Sequence, residues 1–386
     1  MLELGIDEIT IVLQITEELK RTLDINSWAV TADNIVDIFA ENVGFDTVLG
    51  EKRIEPKRPD GYTEAFTFGE HNFYLACAFH ETAVSMGICI KISASALDFF
   101  LDSSGITIYD FLKRAQHQSY KTRVSRIDFT ADYIDEDFSI TEIYQGLMDG
   151  HISVVREYIN PKTNETALRI CKLDYKAILN EADVSTIYIG SKKSDTFMRI
   201  YDKRLEQIEH QGRKLDKAMK THDWIRFEAV FRRNYAHQIG EKLLEITTDA
   251  ELADFIAGIL LKKYSFYHIC NGKVDVPTHY TQMLMDATIG NYELKSPTSR
   301  NYDLVKQILH MLGDSGTMTT LYKIFRIWND KGLERILQIM IELLKTFEPN
   351  ADCRTWLRFH EKDYKKNFTE FDDFIKDTVL PVLEGR

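Results

Sequence analysis

The sequence predicts an α+β protein: an antiparallel-sheet domain with flanking helices over residues 1–235, then an all-helical domain over 236–386. Three observations carry this. At 386 residues the chain is long enough for two domains, and a 44% hydrophobic, 28% charged composition supports a sizeable buried core. Up to about Arg233, segment after segment alternates apolar and polar residues at period two. From 234 onward apolar residues recur at helical spacing instead.

In order along the chain, Ile6 to Ile15 alternates as a half-buried strand with Ile9, Ile11, Leu13 and Ile15 on one face. Residues 27–41 read as a helix, with Ser27 or Thr31 as its cap. Short strands follow at 63–68, 72–79 and 86–93, joined by hairpin-like turns. Helices at 107–117 and 139–148 flank a strand at 123–133. Two more strands, 151–158 and 166–173, precede a helix or loop at 174–182. The clearest hairpin is 185–203, where STIYIG and TFMRIYDK alternate on either side of SKKSD. A charged helix over 203–219 leads to the strand 224–233. Helical patterns then cover 234–247, 249–264, 301–312, 319–329, 331–347 and 369–383, with Pro277 to Pro297 the least regular connection.

No stretch approaches eighteen apolar residues, and MLELGIDEIT lacks the basic-then-apolar layout of a secretory signal. Five scattered cysteines with no CxxC pair suit free thiols better than disulfides or a zinc site, and the expectation is a cytoplasmic protein without a membrane span. The net charge of −12 speaks against a polyanionic partner, but the charge is uneven. Residues 113–126 carry five bases and no acid, and 191–233 carry twelve bases against seven acids. These base-rich stretches coincide with the segments that look chemical.

Three strands carry ionisable residues on the face opposite their apolar one. In SRIDFTAD, Arg126, Asp128, Thr130 and Asp132 share a face; in DTFMRIYDK, Arg199, Tyr201 and Lys203 do; in WIRFEAVFRR, Trp224, Arg226, Glu228 and Arg232 do. Any one of these strands reads equally as an amphipathic strand facing water. Their combination supplies a parts list. Asp128, Glu228 and Asp132 are hard oxygen ligands for a divalent metal, Mg²⁺ or Mn²⁺. Tyr201 is an attacking oxygen, with Arg199 and Lys203 on its own face to hold a phosphate and lower the phenol pKa from about 10. Arg126, Arg226, Lys192, Lys193, Arg204 and Arg123 are candidate contacts to DNA. Tyr188, in the partner strand of the hairpin, is the rival nucleophile. No GxxxxGK[ST] occurs, so duplex unwinding needs a partner helicase, host- or element-encoded.

SMGICIKISASAL (85–97), SRIDFTAD (125–132), TIYIGSKKSDTFMRIYDKRLEQ (186–207) and WIRFEAVFRR (224–233), in this order, resemble the replication initiation factor family (Rep_trans type). That family includes initiators of rolling-circle plasmids and relaxases of some conjugative elements. The resemblance implies site-specific nicking of an origin through a covalent 5′-phosphotyrosyl link. The family's R-[IV]-Y-[DEN]-K element falls on Tyr201, and its acidic positions fall on Asp128 and Glu228, with Asp132 following by strand geometry. One departure is that no His-hydrophobe-His pair is present, so carboxylates would have to hold a metal. The relaxase role and a non-catalytic DNA-binding protein of the same fold are the alternatives. Residues 302–331 read as two helices around a Gly-Asp-Ser-Gly turn, with Lys323 and Arg326 on the second. They make the helical domain a DNA reader of the helix-turn-helix kind or an oligomerising bundle, for instance a homodimer.

Overall fold

The computed structural model describes all residues except 24–26, 160–164, 181–182, 291, 293, 295–303, 314–315, 350 and 385–386. It divides into two compact units, Met1–Ser296 and Pro297–Arg386. The first unit therefore runs well beyond the boundary near 235 drawn from the sequence.

The first unit is built on a ten-stranded antiparallel sheet and a second sheet of four strands. The strands are β1 (Leu2–Ile15), β2 (Lys52–Ile54), β3 (Glu64–Phe68), β4 (Leu75–Phe79), β5 (Ile88–Ile92), β6 (Tyr120–Ile134), β7 (Ile152–Ile159), β8 (Thr166–Ile170), β9 (Tyr175–Asn180), β10 (Asp183–Ile189), β11 (Thr196–Asp202), β12 (Trp224–Arg232), β13 (Ser265–Cys270) and β14 (Lys273–Pro277). The large sheet runs β2-β3-β4-β5-β1-β6-β12-β11-β10-β9 and the small one β14-β13-β7-β8. The long first strand thus sits centrally and pairs with β6 over almost its whole length. Its alternation demands one apolar face, and Ile9, Ile11 and Leu13 are fully buried.

The helices are α1 (Glu17–Thr22), α2 (Trp28–Val43), α3 (Phe45–Val48), α4 (Ala94–Ser104), α5 (Ile108–Arg114), α6 (Ile140–Met148), α7 (Lys203–Glu209), α8 (Leu215–Lys220), α9 (Arg233–Leu243), α10 (Asp249–Tyr264) and α11 (His279–Asp286). A capping box between Ser139 and Glu142 starts α6, as the sequence signature there implies. α9, α10 and α11 cover the apolar face of β6 and β12. Phe129 lies edge-on to Phe231 at 5.5 Å and to Phe255 at 6.0 Å, and the Tyr133 hydroxyl donates to the Tyr280 carbonyl at 2.8 Å. These helices read as a separate domain by periodicity, yet their apolar stripes are what close the sheet's core.

Several elements differ from the sequence expectation. Residues 175–180 form the edge strand β9, whereas a helix or loop was expected over 174–182, of which 181–182 lie outside the described residues. The region after 235 is not all helical, because the hairpin β13–β14 completes the small sheet and α11 occupies the irregular Pro277–Pro297 stretch. The charged helix expected over 203–219 is two helices, broken where Gln211 adopts φ 48° and Gly212 follows. Helix α4 has no counterpart in the expected elements.

The second unit is mainly helical: α12 (Leu304–Leu312), α13 (Thr317–Lys345), α14 (Ala351–Asn367) and short turns of helix to Glu384. Leu309, Phe374 and Val379 form its small core. Asn329 breaks α13 with φ 56° and ψ −155°, between the two helices expected there. Asp314 and Ser315 of the expected turn lie outside the described residues, and Lys323 and Arg326 are exposed on α13.

Candidate active site

The polar faces of β6 and β12 are largely buried, and that of β11 is half-buried. Asp128 and Glu228 are fully inaccessible, Arg226 is 2% exposed and Asp132 6%. The bland reading of these strands as faces turned to water therefore fails. Register explains the assembly. Tyr201 pairs with Arg226 and Arg199 with Glu228 across β11–β12; Arg226 pairs with Asp132 and Glu228 with Thr130 across β12–β6. On the other side of β6 the ladder slips between Ile6 and Ile9 of β1, so two residues, Asp7 and Glu8, stand where Asp128 alone stands opposite. The bulge brings both acids to the polar face.

Buried charges must be paired, and arginines do the pairing. Arg126 grips both Asp128 oxygens through Nε and Nη2 at 2.9 and 2.6 Å and reaches Glu8 with Nη1 at 2.7 Å. Arg226 grips both oxygens of Asp132 at 2.6 and 2.7 Å and bonds Asp7 with its remaining arm. Arg199 ion-pairs with Glu228. The Tyr201 hydroxyl donates to the other Glu228 oxygen, Oε2, at 3.1 Å. Tyr201, Asp7, Glu8, Arg199 and Arg226 line a cleft of about 480 Å³, while Asp128 and Glu228 lie beneath its surface.

The electrostatics follow from burial and crowding. Burial, the Asp7 charge and Asp128 push Glu228 up to about 7 against the pull of Arg199. Burial and the Glu8 charge raise Asp128 to about 6 against the pull of Arg126. Glu8 is raised as well, by burial and by Glu228. Asp7 goes the other way, because Arg226, Lys203, Arg199 and Lys214 together outweigh its burial. Tyr201 lies well above the ordinary phenol value, through burial first and Glu228 next; Arg226 and Arg199 only partly oppose them. The expectation that neighbouring cations lower this phenol pKa is thereby corrected.

Lys203 is buried, ion-paired to Glu206 at 2.9 Å, with its ammonium 5.8 Å from the Tyr201 ring centre. Tyr188 does share the face, directly across from Arg199, and Lys192 sits over its ring at 3.8 Å. Lys193 is exposed at the hairpin turn. Arg204 donates to the Thr221 carbonyl at 2.9 Å and braces α7 against α8. Arg123 lines a different depression, beside His237 and Asn234. Arg226, expected to touch DNA, is an internal strut, and Arg126 is largely committed to Asp128 and Glu8. Asp7, Glu8, and the cleft-lining Arg213 and Lys214 were not singled out from sequence; adjacent acids interrupting an otherwise regular strand were the available signal for the first two.

Donor chemistry can be tested for a divalent ion. Glu8, Asp128 and Glu228 raise one another's pKa, the signature of carboxylates crowded enough to welcome a cation. Arg226 and Arg126 each occupy both oxygens of their partner, Asp132 and Asp128; Arg226, with its side chain 3% exposed, cannot give up Asp132 to an ion, whereas Arg126, 23% exposed, has room to turn away from Asp128. Among the described residues no three or more His, Cys, Asp or Glu side chains converge into a ready cage. That is compatible with Mg²⁺, which is commonly held by one or two carboxylates together with substrate phosphates. Also among the described residues, no helix is long and apolar enough to cross a membrane.

Comparison with known proteins gives this geometry a context. NicK of Bacillus subtilis (strain 168), described as a candidate DNA relaxase, is 26% identical over 166 residues, which are 41% of this chain and 42% of that protein. The chain thus matches less than half the length of that relative. The solved structure of a rolling circle replication initiator protein from Geobacillus stearothermophilus superposes with a TM-score of 0.50 at 18% identity, covering 74% of this chain and 97% of that one, a likeness of fold. The family model described as replication initiation factor, Rep_trans, matches residues 122–329, which contain β11, β12, β6 from Thr122 onward and the whole Arg199–Tyr201–Glu228 grouping. With more than half its length matched, the chain belongs to the replication initiation factor family.

Proposed function

We propose that the protein nicks one DNA strand at an origin, with Tyr201 as the nucleophile, and so starts rolling-circle replication. The observation that carries this reading is the Tyr201 hydroxyl hydrogen-bonded to a buried carboxylate, Glu228, on the floor of a cleft bordered by Arg199. A phenol held above its ordinary pKa is a poor nucleophile until a base takes its proton. Glu228 is within reach, and its own raised pKa suits a proton acceptor at neutral pH. As the Tyr201 oxygen bonds to phosphorus, its proton passes to Glu228, the bond to the 3′ oxygen breaks, and the departing 3′ oxygen takes a proton from water. The products are a 5′-phosphotyrosyl end and a free 3′-OH, which primes synthesis. Because the tyrosyl ester keeps the energy of the broken bond, resealing needs no ATP.

Arg199, 36% exposed at its side chain, can turn to the phosphate as Glu228 takes up a proton and loses its charge. Lys203 adds positive potential beside the ring. Asp128 and Glu8 would hold Mg²⁺ or Mn²⁺, which when bound would draw charge off the phosphate oxygens, leaving Glu228 to take the proton. Lys192 and Lys193 at the hairpin turn are the outer DNA contacts in this reading, with Arg123 and Arg204 further from the cleft. A partner helicase supplies unwinding.

Incubation with supercoiled origin DNA and Mn²⁺ should yield relaxed circles and an SDS-stable protein–DNA adduct. Tyr201→Phe should abolish the adduct; an adduct that persists in this variant and disappears in Tyr188→Phe transfers the role to the neighbouring strand. The similarity to NicK favours one second reading, a relaxase that starts transfer of a mobile element by the same chemistry. Cleavage of a transfer origin in preference to a replication origin would select it.

A further inference from the structure

One end of the cleft is closed by a loop that the reaction scheme leaves unused. Between α7 and α8, residues 210–214 cross toward α4, and Arg213 and Lys214 line the cleft together with Tyr201. The loop backbone is fixed from within. The Gln207 carbonyl accepts from Gly212 N–H at 2.9 Å, and the buried Gln207 side-chain oxygen accepts from Lys214 N–H at 2.9 Å. A Cβ on Gly212 would fall 2.3 Å from the Gln207 amide oxygen and displace that amide from the Lys214 N–H.

The two side chains, by contrast, are loosely held. Lys214 pairs with Asp98 at 2.8 Å and Arg213 with Asp102 at 3.2 Å, one turn apart on α4. Arg213 also lies over the Phe99 ring at 4.9 Å. All four charged side chains are at least 35% exposed. Ion pairs this wet contribute about 0–1 kcal/mol each, so exchanging a carboxylate for another oxyanion costs little. Lys214 is close enough to the cleft floor to lower the pKa of Asp7. A rigid loop therefore presents two cations to the cleft whose present partners are easily displaced.

We propose that Arg213 and Lys214 are a backbone-phosphate clamp for the single strand entering the cleft, kept occupied by Asp102 and Asp98 until phosphates replace those carboxylates. This rests on the strand-nicking reading above. Single-strand phosphates are recognised through released counterions, with affinity falling as roughly the 0.7 power of salt per phosphate neutralised. Arg adds a two-pronged grip that suits a phosphodiester.

The test is binding of a fluorescein-labelled single-stranded oligonucleotide from 50 to 200 mM NaCl, in the full chain carrying Tyr201→Phe so that no covalent product forms. Arg213→Ala/Lys214→Ala should lower the salt slope by about 1.4, so that its affinity deficit shrinks about sevenfold across that range. Asp98→Asn/Asp102→Asn should bind more tightly than the parent, with the slope retained. Lys262→Ala, which removes a paired cation outside the cleft, should change neither. An unchanged slope in the loop variant, an equal drop in the Lys262 variant, or no gain from the two Asn substitutions overturns the clamp. If the parent binds no single strand at all, the nicking reading falls with it; if the parent binds and only the loop variant is silent, the clamp alone falls. Near-ultraviolet circular dichroism checks that each variant is folded.

Discussion

Arg226 separates the structural from the sequence-level account most sharply. By sequence it is a DNA contact. In the fold its guanidinium is almost fully buried, and all three arms are spent on Asp132 and Asp7. Replacing it with Met keeps the volume, strips the buried Asp132 of its guanidinium partner and leaves Asp7 only the charges of Lys203, Arg199 and Lys214. Breaking a buried pair in this way costs about 3–5 kcal/mol, against a typical total of roughly 5–15 kcal/mol. The melting temperature should drop by on the order of 10 °C. The loss should be larger at pH 8 than at pH 5, because burial would then raise the Asp7 carboxyl that Arg226 had held down, and its protonation relieves the cost in acid. Arg226→Lys, which keeps the charge and loses the fork, should fall between the two. Denaturant and thermal melts of both variants at the two pH values decide the matter. A Met variant as stable as the parent but weak in DNA binding would refute the strut and restore the DNA contact.

Two further outcomes follow from the carboxylates. Glu228 and Asp128 have folded pKa values raised to about 7 and about 6, above their unfolded values, so the folded state holds extra protons in between. The metal-free protein should therefore lose stability as pH rises from about 4.5 to 7; Glu228→Gln should flatten that decline in denaturant melts, and an undiminished slope would mean that Glu228 is not the group titrating. Mn²⁺ at pH 8 should raise the melting temperature of the parent by binding only the folded state, and Asp128→Asn should abolish the rise; a persistent rise in that variant would place the ion elsewhere.

The strands that carry the site were legible because period-two alternation survives in any half-buried strand, and because Arg126 to Asp132, Arg199 to Lys203 and Arg226 to Glu228 are unusual occupants of the second face. What alternation does not reveal is which neighbour lies across the ladder. Arg226 looks like a free cation until register sets it opposite Asp132, and Asp132 looks like a metal ligand until Arg226 covers it. Asp7 and Glu8 were hidden for a related reason, since a bulge breaks the rule by which facing is read. The hairpin β13–β14 is short and flanked by strong helices, and β9 is an edge strand with little buried surface, so neither leaves a clear apolar signature. The boundary near 235 reflected a real change of periodicity. It missed that α9 and α10 belong to the sheet whose apolar face they cover.

A net charge of −12 does not suit a polyanionic partner, and the proposed function has to reconcile the two in the cleft. Its cations are almost all already matched with carboxylates, so the site presents little excess positive charge to solvent. Burial then sorts them. Arg226, with its side chain 3% exposed, cannot leave its acids without stranding them, and it serves the sheet. Arg213 and Lys214, with side chains 38% and 41% exposed, have partners that water can rehydrate, so a phosphate can take their place at small cost, whereas the partner of the similarly exposed Arg199, Glu228, is fully buried. In the proposed reaction Glu228 differs from Asp98 and Asp102, because its raised pKa would let it give up its charge by taking a proton, freeing Arg199 as the Tyr201 oxygen loses its own. On this view the acids of the cleft are not a defect in a DNA-binding surface. They hold the mobile cations in place until the strand arrives, and one of them couples that release to the proton transfer that activates Tyr201.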